Sequence, residues 1–163
     1  MEITETRKLK AIHHIVNDYS NSVWLATAMV NTKYQDIERS YFSFSFLLFY
    51  RALAGFLSNR RFKDRHRKGD IDILAKDFVG GKIRFRLPEW SKWDDHMNAH
   101  LFHLGYLRTR NSRPWNGEAL EAMFVELTAQ WKRFCGELRE PYRTEFISAV
   151  QRRRQELGVP LYP

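Results

Sequence analysis

Cysteine is nearly absent from this 163-residue chain, which contains only Cys135. A single thiol rules out an intramolecular disulfide and any zinc site built from several cysteines, and it is typical of a reducing compartment. Long apolar runs are also missing. The most apolar stretch, residues 41–57, contains Arg51 and several serines, and it is shorter than the roughly 20 residues that a membrane-spanning helix needs. The charged N-terminal residues lack the apolar core of a signal peptide, so we expect a cytoplasmic protein without membrane contact.

Aromatic and basic residues are abundant. Phe, Trp and Tyr make up 15% of the chain and hydrophobic residues 44%, which is enough for one folded domain over residues 1–163 without a metal or disulfide. Lys and Arg number 27 against 19 Asp and Glu, so the formal net charge is +8. This balance favours polyanionic partners such as RNA, although a small basic domain need not bind one.

The spacing of apolar residues predicts five long helices and no strand pair. These helices cover about residues 6–31, 36–58, 89–110, 117–138 and 141–157. The second helix is apolar nearly all round, which favours a place in the middle of a bundle. Residues 82–87 alternate like a strand but have no partner in the sequence, so we expect an extended connector. The sequence therefore predicts an all-α, up-and-down helical bundle, interrupted by a basic loop over residues 59–70.

Three histidines at helical spacing suggest a metal site at first. His96, His100 and His103 are four and three residues apart, which places them on one face of the third predicted helix. No cysteine and no second histidine-rich segment supplies the remaining ligands, and we expect neither a metal nor another cofactor. The neighbouring His13 and His14 are expected to lie at the surface and at the boundary of the core.

A second set on the same helix has groups suited to RNA chemistry. His103 can act as a general acid or base near neutral pH. Asn98 can orient the ribose or phosphate, and Arg108 can neutralise a pentacoordinate phosphorane. A two-fold dimer would bring two such sets together in one cleft. The alternative is that His103 is a hydrogen-bonded boundary residue and Arg108 a surface charge.

The segment from Met97 to Arg108 resembles the signature of HEPN-type helical domains, and specifically their abortive-infection branch. Members typically carry an Asn, then a His followed by Leu, then an aromatic residue and an Arg. The likeness extends loosely over about residues 42–110. It implies a helical bundle, a homodimer, and a role in bacterial phage defence or toxin–antitoxin biology, with an antitoxin protein as a further partner. The residues that match in register are Asn98, His103, Leu104, Tyr106 and Arg108.

The resemblance also bears on activity. If the protein is an enzyme, the resemblance implies a metal-independent endoribonuclease in which Asn98, His103 and Arg108 carry the reaction. Active HEPN ribonucleases usually have an Arg before the polar residue, and this chain has Met97 there. The alternative is a non-catalytic helical module that binds RNA, a nucleotide or a protein and has lost cleavage.

The basic loop is the second candidate site. Its cations can engage phosphates, and Phe62 can stack on an unpaired base. Arg61 and His66 also have the Arg-x4-His spacing of HEPN ribonucleases, but they lie in a loop rather than on a late core helix. A solvated linker between two helices is the alternative. The candidate RNA-binding residues are Arg60, Arg61, Lys63, Arg65, Arg67 and Lys68.

Overall fold

The computed structural model describes residues 3–31, 36–59, 73–80, 83–97 and 117–161. Within these ranges the chain forms five α-helices, one short 3-10 turn at Ala75–Asp77 and no strand. An isolated antiparallel bridge joins Val79 to Leu138. The predicted all-α bundle is confirmed. Its helices are α1 (Glu5–Val30), α2 (Asp36–Leu57), α3 (Pro88–Met97), α4 (Gly117–Gly136) and α5 (Tyr142–Leu157).

Helix α1 packs chiefly against α2 and α5. It begins after Thr4, whose hydroxyl accepts a hydrogen bond from the Arg7 amide at 3.4 Å, because an N-cap side chain satisfies an amide that has no partner within the helix. Its apolar residues at helical spacing are buried through the middle turns, from Ile12 to Val23. In the last turn, Val30 is 80% exposed.

Helix α2 differs from its prediction on one face. Phe46, Leu47 and Leu53 are buried between α1 and α4, as expected of a central helix. Tyr41 and Phe44 are nevertheless exposed, by 67% and 46%. A helix that is apolar all round has no periodic signal to indicate which of its faces meets solvent, so this exposure could not be predicted from the pattern of residues.

Helix α2 is also the one helix in the described ranges with the length and composition of a membrane span. That stretch, Glu38–Leu57, is 20 residues long, because it adds the turn that begins at Glu38 to the apolar run over residues 41–57. Of its most apolar window, 44% is buried inside the bundle. Packing against α1 and α4 is typical of the core helix of a soluble protein, which has the same composition.

The core is a continuous cluster of aromatic rings. Phe134 lies at its centre, with ring centroids 5.3–6.4 Å from its aromatic neighbours. Trp131 also stacks flat on Tyr19 of α1 at 4.1 Å. These contacts tie four helices and the segment before α3 into one core, as large buried rings do. The neighbours of Phe134 are Phe56, Phe78, Phe85, Trp131 and Phe146.

Residues 83–87 lead into α3 without forming a strand, as predicted for a connector. Their side chains alternate: Phe85 and Leu87 are buried, whereas Arg84 and Arg86 are exposed. Helix α3 then begins at Pro88, a residue suited to the first turn because its missing N–H needs no partner there. It is described as far as Met97, and the rest of the third predicted helix lies outside the described residues.

Candidate functional site

Both predicted sites fall on residues that the structure does not describe. Asn98, His103 and Arg108 lie in the range 98–116, and every candidate of the basic loop lies in the range 60–72. The described residues next to these ranges are Met97 on one side and Asn59 on the other. The contacts of these two residues therefore show how the described bundle leads up to each candidate site.

Met97, the last residue of α3, is fully buried in the core. In the HEPN pattern this position carries the arginine of active ribonucleases. A guanidinium at this fully buried position would lose its hydration. The position thus serves packing in this chain.

Glu126 of α4 anchors the first turn of α3. Its Oε2 accepts a hydrogen bond from the Glu89 amide at 2.8 Å, and its Oε1 accepts one from the Trp90 amide at 3.2 Å. The side chains of Leu87 and Pro88 have no oxygen that could cap the helix. The Glu126 carboxylate therefore satisfies amides that have no partner within α3. A carboxylate at this end of a helix also interacts favourably with the helix dipole.

Tyr50 of α2 completes this junction. Its hydroxyl donates to Oε1 of Glu126 at 2.6 Å. Burial raises the pKa of Tyr50, and the hydrogen bond to the Glu126 carboxylate raises that pKa further, so the phenol stays neutral and remains a donor. One carboxylate therefore joins α2, α3 and α4 at the start of the helix that leads to Asn98.

The sequence carried a signal for this junction that was missed. Glu126 lies three residues after Met123 and directly before Leu127, both of which are fully buried seam residues of α4. An acidic residue beside a buried seam needs hydrogen-bond donors from another element. The start of α3, with no Ser, Thr, Asp or Asn before it, needs an acceptor.

A second polar site is a cavity of about 520 Å³ between α1, the 3-10 turn and the turn before α5. Tyr142 forms its floor and donates its hydroxyl to Glu5, while Lys8 Nζ donates to the same hydroxyl at 3.1 Å and to Glu5 Oε1 at 2.8 Å. The pKa of Glu5 is lowered by its hydrogen bonds from Lys8 and then Tyr142. The pKa of Lys8 is raised, first by its hydrogen bond to Glu5 and then by that to Tyr142. The three groups form one charged network.

Asn59, the last described residue before the basic loop, is hydrogen-bonded to the wall of this cavity. Its Oδ1 accepts a hydrogen bond from the Lys76 amide at 2.9 Å. Lys76 and Arg139 are the cations that line the cavity on this side.

Neither the described histidines nor the cysteine forms a reactive site. His13 and His14 are both exposed, and His13 Nε2 lies 3.5 Å from a guanidinium nitrogen of Arg152. Within the described ranges no three His, Cys, Asp or Glu side chains come together as metal ligands. The side chain of His96 is not among those described. Cys135 is buried, and burial raises the pKa of its thiol to about 12, so it is a core residue rather than a nucleophile.

The fold defines an all-α helical bundle with a carboxylate-anchored third helix. No protein-family model, no curated protein and no solved structure matches this chain.

Proposed function

We propose that this protein acts on RNA as an HEPN-like helical module of bacterial phage defence. Asn98, His103 and Arg108 are the groups that meet the RNA backbone, and two copies of the chain pair to form the cleft. The support is the Glu126 junction, which fixes the start of α3, and α3 is described up to the residue before Asn98. The net charge of +8 supports a polyanionic ligand. The setting we propose is the cytoplasm, with an antitoxin protein as the regulatory partner.

The buried Met97 decides which kind of action we propose. Cleavage needs a cation beside the phosphorane, because negative charge accumulates on the phosphoryl oxygens in the transition state. Position 97 does not present one, since its side chain is fully buried. We therefore propose binding of RNA without cleavage.

Cleavage is the second candidate, and the register match at Asn98, His103 and Arg108 favours it. In that case His103 exchanges protons with the attacking and leaving oxygens. Asn98 positions the ribose or phosphate, and Arg108 supplies the cation that position 97 lacks. No metal takes part in this scheme.

One assay separates the two candidates. RNA is incubated in EDTA with the wild type, with His103→Ala and with the control variant His14→Ala, which removes an exposed histidine from α1. We expect none of the three to cut RNA. The wild type and His14→Ala should shift RNA equally on a native gel, whereas His103→Ala should need a higher protein concentration, because it lacks one of the groups that meet the backbone. Cleavage by the wild type and His14→Ala but not by His103→Ala would establish the second candidate. Absence of any RNA shift would overturn the proposed function.

The basic loop is tested by salt dependence. Each phosphate contact to a single strand contributes about −0.7 to the slope of log K against log salt. Replacing Arg60, Arg61 and Lys63 with Gln should therefore lower the magnitude of that slope by about 2, if all three contact phosphates. A slope equal to that of the wild type would show that the loop is only a solvated linker.

A further inference from the structure

The segment before α3 runs antiparallel to α4 along one side of that helix. Val79 pairs with Leu138 just beyond the end of α4, and the carbonyl of Arg84 accepts a hydrogen bond from Arg133 in the last turn. Farther along, the Glu89 amide reaches Glu126 near the middle of α4. The described parts of the segment, residues 79–80 and 83–87, thus lie beside the C-terminal half of α4.

Four exposed arginines lie on the strip of surface along this contact, and we call them the arginine track: Arg84, Arg86, Arg133 and Arg139. Two of them come from the connector and two from α4 and the turn after it. No residue of the basic loop belongs to this set. The strip is thus a separate concentration of positive charge in the described part of the chain.

Carbonyl oxygens hold two members of the arginine track in place. Arg133 Nη1 donates to the Arg84 carbonyl at 3.3 Å, and the guanidinium carbon of Arg133 lies 5.6 Å from the centre of the Phe85 ring. Arg139 Nη2 donates to the Val79 carbonyl at 2.9 Å. A carbonyl orients a guanidinium without cancelling its charge, and the remaining N–H groups stay available to an anion.

The other two members share one face of the connector. Arg84 and Arg86 flank Phe85, which is buried against Phe134 at a centroid distance of 6.1 Å. Side chains two residues apart on an extended backbone point the same way, about 6.5–7 Å from each other. This arrangement suits a linear polyanion better than one small ion.

Carboxylates do little to neutralise the arginine track. Within the described ranges, no member of the track forms an ion pair with Asp or Glu. Glu126 is bound to amides of α3 and to Tyr50. Two exposed carboxylates, Glu137 and Glu140, lie on either side of Arg139 in the turn after α4. Four guanidinium groups against these two carboxylates leave the strip net positive.

We propose that the arginine track binds the backbone of single-stranded RNA. Guanidinium groups bind phosphates bidentately, and the aromatic ring beneath the track is buried, so it offers no platform for bases. Recognition here is therefore of phosphates and independent of sequence. The proposal rests on the proposed function for its ligand, but it uses a different surface from Asn98, His103 and Arg108.

The test is a salt titration of binding to a labelled oligouridine, followed by fluorescence anisotropy. The track variant carries Arg84→Gln, Arg86→Gln and Arg133→Gln. The charge-matched control carries Lys10→Gln, Arg152→Gln and Arg154→Gln, which are exposed positions on α1 and α5. Loss of three phosphate contacts should lower the magnitude of the slope of log K against log salt by about 2 in the track variant. The control should keep the wild-type slope.

Gly80→Ala tests the geometry without changing the charge. A Cβ at position 80 would lie 2.7 Å from Arg139 Nε, so the guanidinium must shift from its present position beside the Val79 carbonyl. We expect weaker RNA binding at low salt and unchanged circular dichroism. Gly136→Ala is the matched control, because a Cβ there meets nothing within 4 Å.

The outcomes separate this proposal from the proposed function. If the wild type binds RNA and the track variant has the same slope of log K against log salt as the control, the proposal for the arginine track is overturned and the proposed function stands. Binding that depends on the track but is unaffected by replacement of Asn98, His103 and Arg108 upholds the track and removes the proposed site. A wild type that binds no RNA overturns both.

Discussion

Tyr50 and Glu126 meet at 2.6 Å although they are 76 residues apart in the chain. The same carboxylate accepts hydrogen bonds from two amides in the first turn of α3. The position of α3 is therefore coupled to one side chain on α4 and one on α2. Loss of either side chain should therefore disturb the conformation of α3 as well as lower the free energy of unfolding.

The first prediction concerns this junction. Tyr50→Phe removes one hydrogen bond to a carboxylate and should lower the free energy of unfolding by about 1.5–3 kcal/mol. Glu126→Gln should cost more, because it also weakens the cap on α3. The effects should be non-additive when combined, since both variants act on one network. Urea denaturation of the two single variants and the double variant gives the coupling energy.

Glu121→Gln is the control for that cycle, because Glu121 is an exposed residue of the same helix. It should change the free energy of unfolding by less than about 0.5 kcal/mol. Additive losses for Tyr50→Phe and Glu126→Gln would contradict a shared network.

The second prediction is a pH dependence at the cavity. Burial raises the pKa of Tyr142, and the hydrogen bond to Glu5 raises it further. A raised folded-state pKa contributes stability below the unfolded value of about 10, and this is lost as the pH rises through the folded value. The lowered pKa of Glu5 works in the opposite direction, so its contribution is lost as the pH falls below about 4.

Tyr142→Phe should therefore differ most from the wild type between about pH 5 and pH 9. The loss should be at most about 1 kcal/mol, because the cavity is open to solvent. Thermal melts across the pH range measure it, with Tyr41→Phe as the control because that ring is 67% exposed. A difference that stays constant from neutral to alkaline pH would argue against the network.

The third prediction concerns Cys135. With its pKa raised to about 12 by burial, the native thiol should react with a disulfide reagent at pH 8 at least about 1000-fold more slowly than the same chain in denaturant. The rate in the folded protein should also keep rising with pH beyond 10. A rapid stoichiometric reaction of the native protein would show that the thiol is accessible.

The helices could be predicted from periodicity because their seams are regular. The observed bounds of α1, Glu5–Val30, and α2, Asp36–Leu57, differ from the predicted ones by no more than one residue at each end. The role of Glu126 could not be predicted from its own helix, because its partners lie 37 and 76 residues away. The exposed face of α2 escaped prediction for another reason: in a helix with few polar residues, only tertiary packing decides which face is covered.

The candidate site at Asn98, His103 and Arg108 was predicted from a motif alone. The structure describes the chain up to the residue before that motif, so this site stays a prediction.

The arginine track could not be predicted from the sequence, because its members are scattered along the chain. They become neighbours only because the connector lies along α4, which depends on Phe85 entering the core.

The last prediction tests whether position 97 is a lost catalytic position or a packing position. Met97→Leu keeps an apolar side chain of similar volume, and it should cost less than about 1.5 kcal/mol of the free energy of unfolding. Met97→Arg places a charge where the native side chain is fully buried, and it should cost about 3–5 kcal/mol. Urea denaturation measures both, and the EDTA-resistant RNA assay is run on the same preparations. We expect Met97→Arg to gain no ribonuclease activity, since its guanidinium would be confined to the core or would unfold α3 in leaving it. A stable Met97→Arg protein whose new RNA cleavage is abolished by His103→Ala would mean that position 97 faces the RNA after all, and that this chain lost cleavage by a single substitution.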